Sequence, residues 1–150
     1  MSEKYLDDFA VGHVYRSGRL TVDTERIKTF AAEFDPQPFH QDEAAAGRSL
    51  LGGLAASGWH TAAMTMRLLV ESDFRPAGGL IGAGVDELRW PRPVRPGDQL
   101  HVESEIVEVR VSKSRPQQGL VKLRTTTKNQ NDEVVQVFVA TLVVPRRPAL

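Results

Sequence analysis

One stretch of this chain constrains the rest: residues 57–72 read as a helix that is apolar around most of its circumference. Trp59, Ala62, Ala63, Met66, Leu69 and Val70 form an apolar stripe, with Met64 and Leu68 on the other side. His60, Arg67 and Glu71 leave only a narrow polar wedge. Such a helix is expected to be buried, so the other elements have to cover it. Its entry, Leu51-Gly52-Gly53-Leu54-Ala55-Ala56-Ser57-Gly58, holds only small side chains and leucine. Small side chains let backbone come close to another element or to a ligand.

The cover is strand. Residues 79–90 read as a first strand, stopped by Pro91 and Pro93, and Pro96-Gly97-Asp98 as a turn. Leu100, Val102, Ser104 and Ile106 then alternate with polar residues, whereas Val107, Val109 and Val111 take the opposite parity. That switch predicts a β-bulge or bend near Ile106. Val121, Leu123, Thr125 and Thr127 mark a third strand, and Asn129–Asp132 a hairpin turn. Residues 134–144 are apolar at nearly every position except Gln136 and Thr141, which predicts a central strand covered on both faces.

Upstream, Asp23 N-caps a short helix that carries Ile27, Phe30, Ala31 and Phe34 on one face. Pro36 should end it, leaving residues 35–40 as a stiff, non-helical stretch, after which Asp42 caps a brief turn over 43–46. The fold class is α+β: a short N-terminal helix, then a long central helix wrapped by a curved antiparallel sheet, in a single domain over 1–150. With one substantial helix, part of the sheet surface is left for another subunit, which predicts a homodimer or a higher homo-oligomer.

Composition narrows the function. Nineteen Lys and Arg balance nineteen Asp and Glu, without the basic excess of a nucleic-acid binder. The chain has no cysteine, which removes thiol nucleophiles, disulfides and Cys-ligated metals. No stretch approaches the roughly 20 apolar residues of a membrane helix, and Met-Ser-Glu-Lys-Tyr-Leu-Asp-Asp is not a signal peptide. A cytoplasmic protein without a membrane partner is expected. No metal site is expected either, because no histidine pair has i, i+4 spacing and Asp with His alone is not a ligand set.

Asp35 and His40 sit five residues apart on the proline-stiffened segment. That spacing can turn a carboxylate and an imidazole toward one shared water. A positioned acid or base typically contributes roughly 10²–10⁴ in rate, and histidine titrates near physiological pH. From the residues alone a plainer reading stands beside this one: Asp35 caps a turn and His40 is a hydrogen-bonded interior residue. Gly58 falls in the first helical turn, where N–H groups lack acceptors and the dipole favours negative charge. It can steady a carbonyl becoming an enolate, or simply be small for packing while Ser57 caps. His101 is expected to face solvent, and His60 the helix surface.

The run Phe34-Asp35-Pro36-Gln37-Pro38-Phe39-His40-Gln41-Asp42, with Ser57-Gly58 eighteen residues after the histidine, resembles the MaoC-like dehydratases. These include the (R)-specific enoyl-CoA hydratases. The family pattern is close to G-D-x-N-P-x-H-x-D followed by H-G, and Arg92-Pro93-Val94-Arg95-Pro96-Gly97-Asp98 is similar to its P-V-x-x-G-D turn. The resemblance spans about residues 5–145.

The resemblance implies a hot-dog fold, dimerising so that acyl-thioester tunnels form at or near the subunit interface. It implies a hydro-lyase that adds water syn across a trans-2-enoyl thioester, or removes it from the 3-hydroxyacyl form. The substrate would be an acyl-CoA or an acyl-carrier thioester, with no cofactor beyond the coenzyme A of the substrate. Carried over, Asp35 and His40 are the catalytic pair and the Gly58 N–H is the oxyanion donor. Gln37, Phe39, Ser57, Trp59 and Arg92 border the substrate, and Arg92, with Arg89, Arg95, Lys113 and Arg115, is a candidate for coenzyme A phosphates. His40 is expected to take the proton from water while Asp35 handles the proton at the α-carbon, unless both share these roles through one water. Three residues depart from the pattern: Gln37 stands for Asn, Phe34 for Gly and Ser57 for His. Phe34 is expected to raise the Asp35 pKa by desolvation. Two other functions fit the same fold, an acyl-CoA thioesterase and a non-catalytic acyl-thioester-binding subunit.

Overall fold

The computed structural model describes residues 3–149. Helix α1 (Thr24–Phe34) starts at Asp23, whose Oδ2 accepts from the Arg26 N–H at 3.0 Å. Next come α2 (Pro38–Gln41), α3 (Glu43–Gly47) and α4 (Gly58–Val70). Strands β3 (Ile81–Arg89), β4 (Gln99–Val111), β5 (Gln118–Lys128) and β6 (Val134–Pro145) follow. Two short strands precede α1, β1 (Val14–Arg16) and β2 (Leu20–Thr21), both paired with β4. At three and two residues, they are too short to show a hydrophobic period.

The sheet is antiparallel in the order β1-β4-β5-β6-β3, with β2 beside β4. The β4–β5 register slips between Ile106 and Glu108, at the position where the apolar parity switches. Strand β6 lies inside the sheet between β5 and β3, and Phe138, Val139 and Ala140 are buried in succession. No helix among the described residues is long and apolar enough to cross a membrane.

Helix α4 joins two parts of the core. Leu69 packs with Phe74, Ile106 and Leu123, while Leu68 packs with Ile27, Leu100 and Val135. The rotation of α4 differs from the expectation. Its buried face carries His60, Thr61, Met64, Thr65, Leu68 and Leu69, whereas Trp59, Met66 and Val70 of the apolar stripe are exposed. The threonines can be buried because each finds an acceptor. Thr61 Oγ1 donates to the Ser57 carbonyl at 3.4 Å, and Thr65 Oγ1 bonds Thr127 Oγ1 at 2.7 Å. Strand β3 is the free edge of the sheet and is exposed along almost its whole length, Ile81 and Val85 included.

Three local expectations are corrected. Residues 38–41 are helical, because Pro38 occupies the first helical position, where its missing N–H is no loss. His60 is buried rather than on the helix surface, with its ring stacked on Phe30 at 4.7 Å. His101 is only 14% exposed at its side chain, its Nε2 3.4 Å from Asp132 Oδ1.

A buried polar chain anchors the loop after β3 to the core. Trp90 Nε1 donates to Gln136 Oε1 at 2.8 Å, and Gln136 Nε2 donates to Thr65 Oγ1 at 3.1 Å. Gln136 is fully buried, so deleting its amide takes the acceptor from Trp90 Nε1 and one of the two hydrogen bonds from Thr65 Oγ1. We expect Gln136→Leu to lower stability by about 1–3 kcal/mol in urea unfolding; an unchanged midpoint contradicts this role for the chain.

Candidate active site

Asp35 closes α1 as its C-cap, held by its N–H on the Ala31 carbonyl. The proline at 36 and the one-turn α2 that follows bring His40 back toward it. His40 Nε2 lies 3.4 Å from Asp35 Oδ2, and the two side chains are 8% and 17% exposed. On the other side of the ring, His40 Nδ1 is 2.6 Å from the Ala55 carbonyl oxygen. A carbonyl can only accept, so Nδ1 carries a proton. Nε2 is therefore the nitrogen that can gain or lose one, and it faces the carboxylate. Phe39 meets the His40 ring edge-on at 4.6 Å and packs into the core.

The carboxylate has two side-chain donors. Gln37 Nε2 donates to Oδ1 at 2.5 Å and Ser57 Oγ donates to Oδ2 at 2.7 Å. Burial acts to raise the Asp35 pKa, but these two hydrogen bonds and the nearby His40 outweigh it, and the net direction is down. Phe34, expected to push it up, is 64% exposed and meets the Phe30 ring at a tilt, 5.1 Å between centroids. The Asn-to-Gln and His-to-Ser departures thus both place a donor on the carboxylate. Ser57 also caps α4 by accepting from the Trp59 N–H at 3.2 Å. One hydroxyl therefore couples the end of α1 to the start of α4.

Gly58 opens α4, and its N–H has no hydrogen bond among the described residues. The Trp90 indole lies flat against it: a Cβ at position 58 would stand 2.6 Å from Trp90 Cε2. The small residue is thus required by packing. His40 and Gly58 share the wall of a cavity of about 210 Å³ with Leu51, Thr61, Trp90 and Arg92. Asp35 is not itself on that wall and adjoins it through His40.

Of the residues expected to border the substrate, only Arg92 reaches the cavity, and its Nη1 also pairs with Glu133 Oε2 at 3.1 Å. Gln37 and Ser57 hold Asp35 instead. Trp59 is exposed and meets Trp90 edge-on at 5.3 Å, off the cavity wall. Arg95 does not point outward toward phosphates. Its guanidinium donates to the carbonyls of Leu51, Gly53 (2.8 Å) and Leu54 (3.3 Å), and so holds the loop that delivers Ala55 to His40. Trp90 was missed as part of the site, and Arg95 was expected at phosphates and not on this loop. A tryptophan beside two prolines is the sequence signal for the first, and the second has none beyond its turn.

With this geometry in place, the comparisons give the family. The family model described as the MaoC like domain matches residues 8–129, so the chain belongs to the MaoC-like family, and its fold is the hot-dog fold. A MaoC-like dehydratase from Rhodospirillum rubrum is 57% identical, with a TM-score of 0.94 over 97% of this chain and 99% of that one. The R-hydratase PhaJ1 from Pseudomonas aeruginosa is 26% identical, with a TM-score of 0.75 over 95% and 86%. The uncharacterized protein YdeM of Bacillus subtilis (strain 168) is 32% identical over 139 residues, 93% of this chain and 96% of its own.

Because the folded Asp35 pKa is depressed, its contribution to stability is present above the unfolded carboxylate range and is lost as pH falls through the folded value. Ser57→Ala removes one donor and the cap. It should raise the Asp35 midpoint in a carboxyl NMR titration and cost about 1 kcal/mol of stability. An unchanged midpoint would show that the Ser57 hydrogen bond does not set the ionisation.

Proposed function

We propose that this protein is a hydro-lyase that adds water to a 2-enoyl thioester, or removes it from the 3-hydroxyacyl form, with an acyl-CoA as the substrate class. The observation that carries the reading is the orientation of His40: Nδ1 fixed on the Ala55 carbonyl, Nε2 turned to Asp35, and the same ring on one cavity wall with Gly58. Membership of the MaoC-like family and the likeness to a MaoC-like dehydratase and an R-hydratase support it.

In this reading a water is held between Asp35 and His40 Nε2. Asp35, kept ionised by its donors, enters as a proton acceptor and not as the acid. As the water oxygen bonds to the β-carbon, its proton passes to the Asp35–His40 pair. Negative charge moves to the thioester oxygen, where the Gly58 N–H and the α4 dipole stabilise it. The pair then returns a proton to the α-carbon on the same face and regains its starting state. Largely apolar walls formed by Leu51, Ala55, Ala56 and Val94 suit the acyl end of the thioester.

The chain acts as a homodimer or higher homo-oligomer in this reading. The exposed stripe of α4 and the free β3 edge together present unpaired backbone and apolar side chains, which a second copy would cover.

Asp35→Asn and His40→Ala are each expected to slow hydration of a trans-2-enoyl-CoA by roughly 10²–10⁴, read as loss of enoyl-thioester absorbance, without release of free thiol. Parent-like rates in either variant would reject the assignment. Light scattering should show the parent as at least a dimer and Ile81→Lys/Val85→Lys as a monomer; a monomeric parent overturns the oligomer.

A further inference from the structure

A larger cavity, of about 480 Å³, lies between α1, β2 and α4 and shares no wall residue with the one at His40. Its apolar floor is Leu20, Phe30, Met64 and Leu68. His60 forms part of the wall, only 8% exposed, and its Nδ1 is buried with no hydrogen-bond partner.

The charges at the mouth are unbalanced. Arg67 is engaged with Glu71 at 3.5 Å, and the Asp23 carboxylate takes the Arg26 N–H as a helix cap. Arg19 and Arg26 border the cavity without an ion-pair partner among the described residues. Burial, and then the Arg26 charge, hold the His60 pKa below its ordinary value, so the ring is neutral and does not add to that charge. Two guanidinium groups without an ion-pair partner, set against the single Asp23 carboxylate so that the wall keeps a net positive charge, together with one neutral imidazole and an apolar floor, are a set of partners for one kind of molecule. Guanidinium groups select carboxylate and phosphate oxygens, and convergent polar groups over an apolar lining are the usual form of a small-molecule site.

We propose that this cavity is a second binding site, separate from the hydration chemistry, for a small amphipathic anion. Its carboxylate or phosphate head meets Arg19 and Arg26, and its aliphatic or aromatic body lies on Phe30, Met64 and Leu68 beside His60. The inference does not rest on the hydro-lyase reading, because none of these residues takes part in it.

The test titrates the full-length protein with octanoate, octyl phosphate and, as the uncharged control, octanol. Binding is followed by calorimetry and by the imidazole proton–carbon signals, assigned with His60→Phe and His40→Ala. At least one anion should bind and move the His60 signals while leaving those of His40 in place, and the stronger anion identifies the head group. Octanol should bind at least about tenfold more weakly, and Arg19→Gln/Arg26→Gln should weaken the anion by about tenfold. Both arginines are exposed, so this double variant keeps the test valid even if His60→Phe misfolds. The proposal is overturned if neither anion binds, if only His40 signals move, if octanol matches the anions, or if the double variant binds as the parent does.

Discussion

The hydrogen bond between His40 Nδ1 and the Ala55 carbonyl is the contact on which the site depends. It fixes which ring nitrogen is free to exchange a proton and where that nitrogen points. Its acceptor is a backbone atom on a loop with little side-chain bulk, so the loop has to be fixed by other means. Arg95 ties the carbonyls at 51, 53 and 54, and the Ala56 N–H is tied to the Val94 carbonyl at 2.9 Å. The turn over residues 93–98 thus acts on the imidazole through the backbone of a neighbouring segment, without touching it.

Ser57 plays the corresponding part for the carboxylate. Its hydroxyl donates to Asp35 and accepts from the first turn of α4, so the end of one helix and the start of another are set against each other. Gln37 adds a second donor. A carboxylate with two donors and a histidine beside it is favoured in its ionised form.

Much of the architecture was legible in the amino-acid order. Period-two patterning located β4 and β5, a nearly unbroken apolar run located β6, the parity switch at Ile106 located the register slip, and Asp23 and Asp42 located helix starts. The rotation of α4 was not legible, because an apolar stripe does not say whether it faces the chain's own core or another surface. Thr65 won the buried face through hydrogen bonds with Thr127 and Gln136 that only the tertiary structure supplies, and Thr61 through a bond back to the Ser57 carbonyl one turn earlier. At the candidate site, the motif singled out Asp35, His40 and Gly58, and the structure sets His40 beside Asp35 and on one cavity wall with Gly58. The effect of Phe34 was misjudged, since adjacency in sequence is not adjacency in space and its ring turns outward. The acceptor at Ala55 was invisible for a simpler reason: a backbone carbonyl carries no residue signature.

The proposed chemistry depends on which nitrogen of His40 exchanges its proton. Ring ¹⁵N NMR of the folded protein, followed across pH, reports this directly. We predict that Nδ1 keeps its proton throughout and that Nε2 is the nitrogen whose shift moves as the ring titrates. A spectrum in which Nε2 stays protonated and Nδ1 titrates would place the mobile proton on the side away from Asp35, and the paired chemistry would have no basis in this geometry.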